Sequence, residues 1–498
     1  MTVTGGAAAV TGLADLGAES RVIATPWSRM VRGIGLGQHP VAHDGGVAAL
    51  LRRALEMLQV KLGHSHAYTL FAIRLTALIL DITDPAITLS RRDVDSALDS
   101  ITATIRAVPN PYHRLMAGCI LMDAASKLNL DVELLLAPRR DVPTETLAAL
   151  DAIRPNGIAD ENRGRHGDYE KLSASTAVFL AHAQLGLGDR LTTRRDHVGE
   201  ALDLLDRVPS PFFRGRGGSM LFSVLSLMGL DERVHDGPVD YVARTFDCLD
   251  RADELPPPVF PNPMTASFSR TYPLVTMLNA VAMSGRDAYL QYGGDRLDEI
   301  ADLMARLAPV ERTHMGLYYV IALNNLGRLE SEIPSLDTFV EGVVGQWRQI
   351  DPGDGFFLNG IAYPYMIQTA MVTGRMDLVT DETVRRLVES FPDLDRTDFD
   401  RTNRPYPLSY TLNILGEIGK LDSLYTPSDR YDGESALPWV IGRLSHGGVE
   451  EGSRMTMIGH ALVSAALRLR GPGSTTALFS DFHFPLADRS TALTKVAR

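Results

Sequence analysis

The chain repeats itself, and that restricts the folds open to it more than any other feature. Val108-Pro109-Asn110-Pro111-Tyr112-His113-Arg114 opens an apolar run that ends at Leu130-Asp131. Val208-Pro209-Ser210-Pro211-Phe212-Phe213-Arg214 opens a second, ending at Leu230-Asp231, with Gly118 matched by Gly218 and Leu121 by Leu221. A shorter pattern recurs as well. Arg270-Thr271-Tyr272-Pro273-Leu274 leads to Leu278-Asn279, and Arg404-Pro405-Tyr406-Pro407-Leu408 leads to Leu412-Asn413. Ala362-Tyr363-Pro364-Tyr365 is a third copy without the Arg. Recurrent helical units stack because one unit alone cannot bury its apolar face.

From about residue 45 onward apolar residues fall three and four apart, as at Leu50, Leu51, Ala54, Leu55 and Leu58, which is the helical period. No alternating strand pattern accompanies them. Two kinds of helix are expected to alternate. Nearly all-apolar helices are placed at about 65–82, 111–128, 169–187, 211–229, 266–284, 312–327, 356–373, 405–419 and 450–469. Charged, amphipathic helices are placed between them, at about 91–107, 144–153, 194–206, 238–252, 292–307, 335–348, 379–390 and 434–445. The apolar members begin about every 48 residues, the long end for two-helix repeats. A helix apolar all round must be buried and an amphipathic one can face water, so the two kinds form inner and outer layers. The expected fold is all-α: an α/α toroid or curved α/α solenoid of about eight or nine helical pairs. Residues 1–44, with Gly33, Gly35, Gly37 and Pro40, read as an extended arm. The proline-rich stretch 255–263 divides the helical region into repeat halves at 45–254 and 264–498.

Punctuation agrees with this layout. Pro111, Pro211, Pro273, Pro364 and Pro407 are expected to begin inner helices, where a missing N–H costs nothing. Gly229, Gly285, Gly327, Gly374 and Gly419 are expected to close them. On that placement Arg270, Tyr272, Arg404 and Tyr406 sit at the rim just before the helix, and Asn279 and Asn413 lie nearly two turns inside. With Tyr363 they would surround a polar-rimmed cavity, or else tie rim loops to helix ends.

Net charge is −12 over 498 residues, which argues against general binding to nucleic acid. The basic residues are nearly all Arg, a bias typical of GC-rich bacterial genomes. Two cysteines, Cys119 and Cys248, exclude a disulfide framework and an all-cysteine zinc site. No apolar run reaches the roughly 20 residues a bilayer span needs, and the expected location is cytoplasmic. Nucleotide motifs are absent: Gly215-Arg216-Gly217-Gly218 stands in for Leu115-Met116-Ala117-Gly118 of the other copy, which points to close helix packing instead of a phosphate cradle.

Two features suggest acid/base chemistry. Asp393, Asp395, Asp398 and Asp400 cluster just before the second Arg-x-Tyr-Pro copy, in an expected loop on the same rim as Arg270. Crowded carboxylates raise one another's pKa, which can keep one protonated as an acid. His113, His182, His314 and His460 fall on or beside inner helices; of these, His314 follows Arg312-Thr313 at the expected start of an inner helix, a place related to the rim of the repeated motif. The layered helices and the Asp-x-Asp-x-Thr loop resemble the terpenoid-cyclase and protein-prenyltransferase toroids. That resemblance implies Asp395 as proton donor supported by Asp393, although Arg396 stands where those enzymes carry Asp or Thr, and only 3 Trp are present. The expected function is therefore a cofactor-independent isomerase, cyclase or lyase of bacterial specialised metabolism, acting on an apolar or peptide substrate. The alternative is a noncatalytic helical-repeat scaffold for a peptide or partner protein. A closed, polar-studded cavity would favour the enzyme and an open groove the scaffold.

Overall fold

The structure is a computed structural model and describes residues 67–84, 86–154, 167–252, 265–346, 357–394 and 418–436, with Leu55, Ile414, Leu415, Trp439 and Val463. Fourteen long helices are numbered α1 to α14. They are α1 (Ala67–Thr83), α2 (Arg91–Arg106), α3 (Pro111–Lys127), α4 (Val142–Ala152), α5 (Gly167–Gln184), α6 (His197–Arg207) and α7 (Pro211–Leu227). They continue as α8 (Tyr241–Asp250), α9 (Ala266–Ser284), α10 (Arg296–Arg306), α11 (Pro309–Leu326), α12 (Leu336–Val344), α13 (Phe357–Val372) and α14 (Asp381–Glu389). No strand occurs among the described residues, only an isolated bridge between Pro427 and Ser435. The all-α expectation holds for these residues.

Odd-numbered helices are the apolar kind and even-numbered ones the amphipathic kind. Helix α7 buries nearly every side chain it has, whereas α6 buries only one face, through His197, Val198, Ala201, Leu202, Leu204 and Leu205. An outer helix passes to the next inner helix through a few residues, such as 208–210 or 307–308, which forces antiparallel neighbours. Asn110 and Ser210 cap α3 and α7, with Pro111 and Pro211 in the first helical position as expected. The predicted closing glycines, Gly229, Gly285, Gly327, Gly374 and Gly419, all have positive φ, and Asn129 takes the same conformation (φ 51°) where the first repeat lacks a glycine.

Two of the expected proline starts are corrected. Pro273 and Pro364 lie inside α9 and α13. The reason for α9 is visible at its true start. Thr265 is the N-cap, and Glu311 of α11 accepts hydrogen bonds from the Thr265 amide (2.9 Å), its hydroxyl (2.8 Å) and the Ala308 amide (3.1 Å). One buried carboxylate thus fixes the N-termini of α9 and α11 and starts α9 seven residues before Pro273. Arg270 and Tyr272 are accordingly inside the helix, not in a loop before it. Likewise Asp393, expected in a loop, lies in the helical turn Phe391–Leu394, and the rest of the expected loop lies outside the described residues.

The described residues belong to two compact units. One takes in 67–149 and 380–436. There α1, α2 and α3 pack on one another, and α4 closes on α3 through Thr146 against Gly118. The other takes in 150–379. Its inner helices form a row in which α5, α7, α9, α11 and α13 each pack on the next, with α6, α8, α10 and α12 laid against them. The inner helices before and after the proline-rich stretch 255–263, α7 and α9, pack directly on each other; the stretch itself, like the arm 1–44, lies outside the described residues.

Glycines explain how closely the row packs. A Cβ on Gly215 would stand 2.6 Å from Pro273 Cβ, and one on Gly217 would stand 2.6 Å from Leu172 Cδ2. Gly215 and Gly217 thus let α7 approach α9 on one side and α5 on the other, in keeping with the packing role expected for this segment.

Candidate functional site

In the second unit, aromatic side chains of α5, α7, α9, α11 and α13 form a connected seam along the row. Tyr169 of α5 meets Phe213 of α7 at 4.8 Å between ring centroids, and Phe212 stacks on Tyr272 of α9 at 5.5 Å. Tyr272 then meets His314 and Tyr318 of α11, each at 5.7 Å. His314 lies 4.0 Å from Tyr365 of α13, and the hydroxyls of Tyr318 and Tyr365 share a short hydrogen bond. Arg216 covers the Tyr272 ring from 5.7 Å, within cation–π range.

His314 is the polar group at the centre of this seam. Phe268, Tyr272, Tyr318 and Tyr365 surround it, only 5% of it is exposed, and its Nδ1 has no hydrogen-bond partner. Burial, with Arg216 adding to it, pushes the imidazole from its ordinary 6.5 down to about 3. It is therefore neutral at pH 7, and it lies past the first turn of α11, because that helix starts at Pro309 and not at 312. His182 is equally buried, with Nδ1 2.8 Å from the Val178 carbonyl, and burial lowers His113 to about 4.

The remaining sequence-derived candidates fall in different places. Tyr272, Asn279 and Tyr363 are buried on inner helices, as expected for the inner layer. Asn279 accepts a hydrogen bond from Asn325 Nδ2 at 2.7 Å and offers its own amide to Met283 Sδ at 3.7 Å. Arg270 turns outward and grips Glu299 of α10 at 2.6 Å. It joins a network in which buried Arg296 binds Asp250 at 2.7 Å and Glu299 at 2.9 Å. Asp393 has its main chain in the short Phe391–Leu394 helix, and Asp395, Arg404, Tyr406 and Asn413 lie outside the described residues.

Within the second unit, then, the structure brings together Tyr272 and His314, and places Arg270 and Asn279 in separate contacts. Sequence reasoning passed over Phe212, Arg216, Phe268, Tyr318 and Tyr365. Tyr272, Tyr318 and Tyr365 recur at intervals of 46 and 47 residues, close to the helix-pair period, and that spacing was the available signal. Among the described residues no group of three His, Cys, Asp or Glu could hold a metal, both cysteines are free, and no helix is long and apolar enough to cross a membrane. No family model, curated protein or solved structure matches the chain.

Proposed function

We propose that this chain is a noncatalytic helical-repeat scaffold whose row of helices presents a surface to a peptide or partner protein. The observation that supports this most directly is where the polar side chains of the inner helices are spent. Asn325 bonds Asn279 and Tyr318 bonds Tyr365, across 46 and 47 residues. Glu311 bonds Thr265 across 46. Each pairs with the neighbouring repeat, which is what stacking requires. His314 fits the same reading: a general base works best with a pKa near the working pH, and one held at about 3 among four rings is a weak base.

A random-peptide display selection on the immobilised full chain tests the proposal. Expected is an enriched motif whose synthetic peptide binds saturably by fluorescence anisotropy and slows hydrogen exchange in α5 to α13. Selection without enrichment, or a peptide that protects none of these helices, would count against it. An isomerase, cyclase or lyase would instead rest on Asp395. Asp395→Asn should then cost about 10²–10⁴ in turnover with little change in Tm.

A further inference from the structure

The first unit holds a cleft of about 290 Å³ among α2, α3 and α4. Its walls are Ile105, Val142, Ala148 and Ala149, with Gly118 and Thr146 in contact at its base. Its polar groups are Arg106, Arg114, Glu145 and Thr102. Arg106 and Glu145 neutralise each other through two hydrogen bonds, one of them Nε to Oε2 at 3.0 Å. Arg114 bonds only the Val108 carbonyl, at 3.1 Å, and has no carboxylate partner among the described residues. Thr102 is 1% exposed and its hydroxyl has no hydrogen-bond partner. The cleft therefore carries one uncompensated positive charge and one buried hydroxyl in need of a partner.

The repeat supplies an internal comparison. Arg214 corresponds to Arg114, and Asp206 to Arg106, one hundred residues on. Thr245 lies under Gly218 as Thr146 lies under Gly118, so Arg244 corresponds to Glu145. In the second copy Asp206 binds both Arg214 and Arg244, the latter at 2.6 Å, so the inner arginine there has a carboxylate partner. In the first copy the outer pair has reversed sign, Arg106 with Glu145, and Arg114 has lost its acid. The side chains are also smaller there: Thr102 stands for Leu202, Ala148 for Asp247 and Ala149 for Cys248. The same frame thus has larger side chains and an inner arginine held by a carboxylate in one repeat, and smaller side chains and an inner arginine held only by a carbonyl in the other.

We infer that this cleft binds a small monocarboxylate with a short apolar body. The carboxylate would take Arg114 in a forked pair and give Thr102 its missing partner. The body would lie on Ile105, Val142 and the two alanines. The volume falls just below the roughly 300–1,000 Å³ of drug-sized sites, which selects a small ligand.

Saturation-transfer NMR on the full chain with sodium butyrate, its neutral isostere butyramide and inorganic phosphate is the test. Butyrate should bind saturably, and the other two at least tenfold more weakly. Arg114→Gln should weaken butyrate at least tenfold, while Arg214→Gln leaves it unchanged. Thr102→Leu with Ala149→Cys, which refills the cleft with the larger side chains of the second copy, should abolish binding with the circular dichroism spectrum retained. Butyrate that does not saturate, that binds Arg114→Gln or the refilled variant as well as the native chain, or that binds no better than phosphate or butyramide would overturn the inference.

Discussion

Replacing His314 with Leu should flatten the acid limb of the protein's stability, by an amount set by its burial. Leu has nearly the volume of His, and Nδ1 has no hydrogen bond to lose. The folded imidazole titrates near 3 and the unfolded one near 6.5. Between these values the unfolded chain binds the extra proton, so stability is full above pH 6.5 and falls as pH drops toward 3. At pH 5 the unfolded chain has gained about 1.5 pK units of protonation free energy over the folded chain, or about 2 kcal/mol. Urea melts of the native chain and His314→Leu at pH 7.5 and pH 5 measure it. Burial also lowers His113 and His235, and these contribute to both chains and cancel. The native chain should lose about 2 kcal/mol more than the variant over this range. Equal losses would mean that His314 takes up its proton in the folded state as readily as in the unfolded one, and that the aromatic nest does not hold it neutral.

Glu311→Gln removes an acceptor shared by Thr265 and Ala308 and should cost about 1–3 kcal/mol, with faster hydrogen exchange at the start of α9; unchanged exchange there would dissociate the carboxylate from that cap. Gly215→Ala sets a Cβ against Pro273 Cβ at 2.6 Å and should destabilise by about 1–3 kcal/mol in a urea melt, whereas a neutral result would show that α7 and α9 can move apart freely. Gly342→Ala, in α12 with nothing within 4 Å of the new Cβ, should stabilise by about 0.5–1 kcal/mol, and a loss of stability would speak against a regular helix there.

The alternation of helices was legible in the chain because its causes are local. The period of apolar residues, Pro111 and Pro211 at helix starts, and the glycines at helix ends act within one or two turns of themselves. The same local logic misplaced Pro273, since proline reads as a helix start unless something upstream starts the helix sooner. Here that is Glu311, 46 residues beyond Thr265, and no pattern around Pro273 reveals it. Tyr272 and His314 could be singled out from sequence, but not that they stack at 5.7 Å, because their meeting depends on how α9 and α11 pack. The charge state of that imidazole likewise comes from four rings on three helices, and burial rather than any neighbouring residue in the chain lowers its pKa. Arg114 and Arg214 look alike in their repeats. Only the folded chain separates them, since an arginine is matched or left over according to which carboxylates the packing brings within about 4 Å.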